Sequence, residues 1–394
     1  MNKDNYSTII DFGSSKLRLG VFDENLSKIY FKSKDIDKES NFNEYSKLIN
    51  FLIRDAESKI SNHLKNIVVL YDASDVYSID LSIKKILDQK TSFKNICSTI
   101  ILEAEKLIYD NYINNKIIHT VVKKYIINGK EFLNIPTKIT EIKSLIIEIK
   151  FLCIPNDQYN NIIDVFKKNN LKILNFFSSS LVRSFKYLDH FVEKKSVAFL
   201  DIGLERSSLF TFINQKLDFF SSIPIGGQHV SKDISQIIKL SFDDAENLKR
   251  TFNKSEVEFS YDETKKDDNK NIIKKILGRN ISIDLLKKVI LSRIEEIINL
   301  SFKNNIIYEN NDKQEDLTLI LIGNGSKLLD KNSFQLEDKY KFEEINFYEE
   351  NDLEICKAGI LFEEKSKQEF PQKVVKNQKK MGVFQKFFNL FGNN

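Results

Sequence analysis

The chain has 394 residues, 60 Lys+Arg against 56 Asp+Glu, a formal net charge of +4 and a 41% apolar fraction. That length exceeds one ordinary core, so two or more subdomains are expected, and the apolar fraction describes a folded chain. So small a net charge is no argument for nucleic-acid binding, no basic run alternates with aromatics, and no nucleic-acid partner is expected.

In chain order, apolar alternation first gives strand, tight turn and strand: residues 7–11, the turn Phe12-Gly13-Ser14-Ser15-Lys16, then 17–22. A helix is expected over about 42–64, with Leu48, Ile49, Leu52, Ile53, Ala56 and Ile60 on one face, and a short buried strand over 67–71. Residues 75–153 read as a compact block with a helix over 99–114, strands over 117–127 and 142–152, and a hairpin-like Asn128-Gly129-Lys130. After Pro155 come a helix over 157–169, a strand over 172–177 and a helix over 180–190. Residues 197–201 repeat the opening theme, an apolar strand ending in Asp-Ile-Gly, with a return strand over 208–213. Helices dominate from 233 to about 300, broken by a polar stretch over 261–271. A third apolar strand, 317–322, ends in Gly323-Asn324-Gly325-Ser326, and 363–380 reads as a flexible linker.

The last stretch places Met381, Val383, Phe384, Phe387, Phe388, Leu390 and Phe391 on one half of a helical wheel, with Gln385, Lys386 and Asn389 on the other. Burying each phenylalanine is worth about 1.5–3 kcal/mol, so something must cover them. A basic amphipathic helix suits a membrane surface; the alternative is docking on the protein's own core. No apolar run reaches the roughly 20 residues that span a bilayer. Cys97, Cys153 and Cys356 are widely spaced with no CxxC, which points away from metal and disulfide frameworks and towards a reducing compartment. The polar start predicts no signal peptide, so a cytoplasmic body is expected with only its tip in lipid. His63, His119, His190 and His229 share no ligand spacing, and His229 is expected to support the loop before it.

Three strand-to-glycine junctions, at Asp11, Asp201 and Gly323, lie far apart in sequence. Each offers a turn where backbone N–H groups can approach phosphate, an Asp can hold a cation through water, and Lys16 can neutralise phosphate charge. Each is also a common structural turn when taken alone.

Together they resemble the actin/Hsp70/sugar-kinase superfamily and, within it, the FtsA family of bacterial cell-division ATPases. IIDFGSSKLRLGVFD resembles the first phosphate motif, VAFLDIGLERSSLFTF the second, and LILIGNGSKLLD the adenosine motif. SSIPIGGQHVSKDISQIIKLSFDDAENLKR is similar to the family's I-x-x-G-G-x-x-V/I-T/S-x-D-I followed by A-E-x-x-K. The resemblance implies an α/β, actin-like (ribonuclease H-like), duplicated two-lobe fold with an inserted 1C subdomain. It divides the chain into 1–74 with 154–192 (1A), 75–153 (1C), 193–230 with 302–362 (2A), 231–301 (2B), a linker 363–378 and a membrane-targeting helix 379–394.

The resemblance implies ATP and Mg2+ as cofactors. Asp11, Gly13, Ser14, Ser15 and Lys16 then face the β- and γ-phosphates, and Asp201 and Gly203 meet them from the other lobe. Gly226 and Gly227 line the cleft, Glu246 and Lys249 contact ribose and base, and Gly323, Gly325 and Ser326 close over the nucleoside. Magnesium is held by Asp11 and Asp201 through water; no catalytic residue is assigned. Glu246 and Lys249 read otherwise as an exposed i,i+3 pair. The second phosphate loop departs from the family pattern, because Leu204, Glu205 and Arg206 replace glycines and a threonine. Arg206 is expected to pair either a phosphate oxygen or Glu205, with ATP bound and hydrolysis slow or absent.

Implied partners are the FtsZ C-terminal tail, docking at Arg293 and Glu296 on a 2B helix, further copies of the chain in a filament, other divisome proteins and inner-membrane lipids. That helix reads otherwise as an ordinary solvated face. The lipid contacts are Val383, Phe384, Lys386, Phe387, Phe388, Leu390 and Phe391, placing the chain peripherally at the cytoplasmic face of the inner membrane at the division site. Competing readings are an actin-like pilus-assembly scaffold and a small-molecule kinase of the same superfamily.

Overall fold

The computed structural model describes residues 6–36, 42–87, 93–136, 142–255, 283–309, 316–328 and 340–369. The polar stretch 261–271 and the amphipathic tail with all its expected lipid contacts lie outside the described residues, as does the linker from 370 onward.

Two five-stranded sheets have the same topology. The first runs β3-β2-β1-β4-β9, from β1 (Tyr6–Phe12), β2 (Lys16–Asp23), β3 (Lys28–Asp35), β4 (Asn66–Tyr71) and β9 (Lys172–Phe177). The second runs β12-β11-β10-β13-β14, from β10 (Ser196–Ile202), β11 (Ser207–Ile213), β12 (Lys216–Ile223), β13 (Leu317–Ile322) and β14 (Glu344–Phe347). In each, the first strand pairs antiparallel with a return strand on one side and parallel with a later strand on the other. The echo seen at Asp11 and Asp201 therefore extends to a whole lobe. Every residue of β10 and β13 is buried, as expected of central strands covered on both faces.

The block after Tyr71 builds a third sheet, β5-β8-β6-β7, from β5 (Tyr77–Ile86), β6 (Asn115–Ile127), β7 (Lys130–Phe132) and β8 (Ser144–Pro155). Helix α2 (Phe93–Asn111) covers one face with Ile100, Ala104 and Ile108 against Ile147, Ile149 and Phe151, a core separate from the others. An ion pair of 2.9 Å between Lys123 and Asp218 joins this sheet to β12 of the second lobe.

Helix α1 (Phe42–Ile60) lays Ile49, Leu52, Ile53 and Ala56 on the first sheet, the face its periodicity predicts. Helices α3 (Asn156–Lys168) and α4 (Ser179–Leu188) flank β9. In the second lobe α5 (Gly227–Ile238), α6 (Phe242–Ser255) and α7 (Ile283–Ser301) contribute Val230, Ile234, Leu248, Ile290, Ile294 and Ile298 to a core with β10 and β13. A short helix, α8 (Ile306–Glu309), precedes β13. Helix α9 (Asp352–Glu369) returns to the first lobe, packing Ile355, Cys356, Ala358 and Ile360 on Ile9, Phe22, Val68 and Leu70.

Helix α9 corrects the linker's start. Residues 363–369 continue the helix, because Phe362 packs on His119, Phe177 and Phe185 and the buried Glu363 accepts from Asn175 Nδ2 at 2.8 Å. Strands β3 and β12 carry no regular apolar alternation that periodicity could report, whereas β5 alternates Tyr77, Ile79, Leu81 and Ile83 towards its core; β3, rich in lysine, is a sheet edge.

Candidate functional site

The Asp11 and Asp201 junctions are mirror constructions. Each strand ends in Asp-x-Gly, and a tight hairpin closes through Gly13 N–H donating to Lys16 O at 3.1 Å and Gly203 N–H donating to Arg206 O at 2.9 Å. Register then puts Asp11 opposite Arg18 and Asp201 opposite Ser208. The N-terminus of α4 joins the two: Ser179 Oγ donates to Asp11 Oδ1 at 2.6 Å, and Ser180 Oγ to Asp201 Oδ2 at 2.5 Å.

Arginines fill the space between these carboxylates. Arg18 Nη1 donates to Asp11 Oδ2 at 2.5 Å and its Nε to Asp352 Oδ1 at 2.6 Å. Arg183 donates to Asp201 Oδ2 at 2.5 Å and also to Glu350, which in turn accepts from Gly323 N–H at 3.0 Å. Arg206 Nη2 donates to Asp72 Oδ2 at 2.6 Å, with Asp201 Oδ2 at 3.3 Å. Asp72 also accepts from Ser178 Oγ at 2.6 Å and Ser180 N–H at 2.8 Å. Burial alone raises the Asp201 pKa, yet Arg183 and Arg206 outweigh it and hold the group below the ordinary carboxylate value. Burial raises Asp72 further than Arg206 offsets, so its carboxyl sits above that value. Burial opposes the charge on Arg183 too, but Asp201, Glu350, Asp11 and Asp72 raise its pKa well above the usual.

Arg206 pairs not with Glu205, one of the two partners expected beside a phosphate oxygen, but with Asp72 and Asp201, neither of which was expected. Lys16 is held by Asp352 at 3.0 Å. Ser14 and Ser15 sit half-buried at the hairpin tip.

The other expected residues gather around Asp201. Gly323, at φ +85°, lies so close that a Cβ there would be 2.2 Å from Asp201 Oδ1; one on Gly226 would be 2.6 Å from Gly203 O. Gly227 N–H donates to Gly203 O and Gln228 N–H to Leu204 O, both at 2.8 Å, so the glycines serve contact between loops. Gly325 packs on Ile202, and Ser326 Oγ donates to Gly323 O at 2.6 Å. His229 supports the loop as expected, its Nδ1 accepting from Gly226 N–H at 3.1 Å.

Glu246 and Lys249 are buried, not an exposed pair. Lys249 Nζ donates at 2.8 Å to Gly227 O, Ser231 Oγ and Glu246 Oε2. Burial raises the Glu246 pKa, but Lys249 and the hydrogen bonds outweigh it and take the group down to about 2.

Arg293 and Glu296 stand apart on α7. Arg293 is bidentate to Asp233 of α5, at 2.6 and 2.8 Å, and also pairs with Glu296. Sequence reasoning missed Arg18, Asp72, Arg183, Glu350 and Asp352. Arg18 was within reach, since a hairpin closing from Gly13 to Lys16 puts it opposite Asp11. Arg183 lies on an amphipathic helix whose pattern gives no sign that an arginine turns inward.

The donor set does not fit the expected magnesium ion. Asp11 and Asp201 are already charge-compensated by guanidinium groups, and a dication beside either would face Arg18, Arg183 and Arg206. Among the described residues, no three His, Cys, Asp or Glu side chains converge to hold a metal directly.

Residues 198–331 match the family model "Cell division protein FtsA". The chain is 21% identical over 266 residues to the cell division protein FtsA of Bacillus subtilis (strain 168), covering 66% of this chain and 56% of the relative. It is 24% identical over 221 residues to that of Buchnera aphidicola subsp. Schizaphis graminum, covering 56% and 50%. The chain thus spans about half the length of the curated relatives it matches. Among solved structures it resembles a PilM-PilN type IV pilus biogenesis complex, with TM-score 0.53 and 14% identity over 89% of both chains, a likeness of fold alone. Among the described residues no helix is long and apolar enough to cross a membrane. The matched segment spans the Asp201, Gly226 and Gly323 junctions, so over that part the chain is similar to the cell division protein FtsA, and its duplicated five-stranded lobes are those of an actin-like fold.

Proposed function

We propose that the chain is a cell-division adaptor that takes an adenine nucleotide between its lobes and hydrolyses it slowly or not at all. The observation that carries this reading is the gathering of three glycine junctions, the buried Arg18 and Arg183 and the half-buried Arg206 where the duplicated lobes meet. Arg18, Arg183 and Arg206 offset the negative charge of Asp11, Asp72 and Asp201 that would otherwise repel a phosphate there. Leu204 and Glu205 occupy the hairpin where a glycine nest would present N–H groups, and Glu205 adds a like charge that disfavours the transition state of phosphoryl transfer. Isothermal titration with ATP, with and without magnesium, tests the first half; phosphate release at rates on the order of 1 per second, the low end of ordinary turnover, counts against the second.

The tail from 379 to 394 supports reversible attachment to anionic lipid, and self-assembly into filaments adds avidity by placing many such tails on one surface. The FtsZ C-terminal tail and other divisome proteins are the partners in this reading. Liposome sedimentation of the full chain against a version ending at Lys365 tests it. Pelleting that persists without the tail sinks the attachment.

A further inference from the structure

The cleft contains five carboxylates, Asp11, Asp72, Asp201, Glu350 and Asp352, against Arg18, Arg183, Arg206 and Lys16. Arg206 stands on the hairpin between β10 and β11 in the second lobe, and its principal acceptor, Asp72, follows β4 in the first. Its side chain is 13% exposed and that of Asp72 6%. Arg183, on α4 after β9, reaches Asp201 at the end of β10 and Glu350 after β14, so it too crosses between the sheets. Ser222 Oγ of β12 donates to Ala73 O at 3.2 Å beside the Asp72 contact. Planar, permanently charged forks thus stand where facing carboxylates otherwise need a small cation to offset their repulsion.

We propose that Arg183 and Arg206 are the resident cations of this cleft: they brace the two lobes together, so closure requires no divalent metal. Arg206 is the charged crossbar, because one of its nitrogens meets Asp72 of the first lobe and Asp201 of the second, the two carboxylates that Ser180 Oγ also contacts. Arg183 neutralises Asp201 from beneath and ties Glu350, and through it the Gly323 turn, to α4. The inference does not depend on nucleotide occupancy, since every contact in it is made by this chain's own residues.

Amide hydrogen exchange on the full chain tests it. In the unsubstituted protein, exchange at residues 72–75 and 203–207 should change less than about twofold between EDTA and millimolar magnesium, because Asp72 and Asp201 each already have a guanidinium partner. Arg206→Gln should speed exchange there by at least about tenfold, and magnesium should restore part of that protection by standing in for the lost charge. Arg206→Gln combined with Asp72→Asn removes both partners, so no buried charge is stranded if the single variant fails to fold; it should show the faster exchange without magnesium rescue. Strong protection by magnesium in the unsubstituted protein overturns the proposal, as does unchanged exchange in the double variant. Failure of ATP to bind in either buffer, with exchange still indifferent to magnesium, removes the nucleotide reading and leaves the brace supported.

Discussion

The backbone N–H of Ser178 donates to His119 Nε2 at 2.8 Å, joining β6 of the third sheet to the N-cap of α4. A bulge between Ile117 and His119 turns the ring inward, where it stacks on Phe177 at 5.3 Å and meets the edge of Phe362 at 5.5 Å. Ser178 Oγ then donates to Asp72, the acceptor of Arg206. The inserted block is thereby keyed into the cleft by a neutral, accepting imidazole.

Burial takes the His119 pKa down from 6.5 to about 3. The unfolded chain therefore binds the extra proton first, so stability is full above about pH 6.5 and falls by about 1.4 kcal/mol per pH unit from there towards pH 3. Urea unfolding between pH 7 and pH 4 should show that slope, and His119→Gln, which keeps an acceptor but not the proton site, should remove it. An unchanged slope in the variant assigns the acid sensitivity elsewhere.

Glu246 titrates in a lower window. Its carboxyl, held down to about 2 from 4.5, contributes stability present above pH 4.5 and lost as the pH falls towards 2. Lys249→Met removes the buried partner of Glu246 Oε2 and leaves the exposed Arg250 on Oε1, so it should cost up to about 3–5 kcal/mol, whereas Lys249→Met with Glu246→Gln should cost clearly less. A double-mutant cycle measured by denaturant unfolding reads the difference; additive costs contradict the pairing.

Gly323→Ala confronts two obstacles at once, a positive φ and a Cβ 2.2 Å from Asp201 Oδ1. The backbone strain alone costs about 1–3 kcal/mol, and the clash pushes the turn off Asp201. Thermal unfolding should show a loss at the upper end of that range or beyond, while Gly129→Ala, at φ +83° in a hairpin with nothing within 4 Å, should cost less. Equal losses at the two sites would mean that strain, not proximity to Asp201, dominates.

Arg293 spans α5 and α7 through Asp233, so Arg293→Glu should destabilise the protein with no partner present, by about 1–3 kcal/mol. Asp233→Asn should reproduce part of that loss. Loss of affinity for an FtsZ-tail peptide in Arg293→Glu counts as contact with the tail only if Asp233→Asn, similarly destabilised, still binds.

Local pattern was enough for the central elements. The apolar runs before Asp11, Asp201 and Gly323 are buried strands, and the face led by Ile49 and Leu52 is the buried side of α1, because periodicity is set by neighbours a few residues apart. The glycines lie at the turns their sequence marks, but the contacts that require them come from other loops, as Gly226 against Gly203 shows. Charge was not legible in the same way. Asp11 and Asp201 read as cation ligands and Lys16 as a phosphate partner, yet Arg18, Arg183 and Asp352 claim all three. Of these, only Arg18 is a near neighbour in sequence. Glu246 and Lys249 fit an exposed helical pair until α5 covers them with Gly227 and Ser231. An isolated stretch fixes which of its residues are apolar and at what spacing. Which carboxylate meets which cation depends on strands and helices up to hundreds of residues apart coming within hydrogen-bonding distance, and only the tertiary structure decides that.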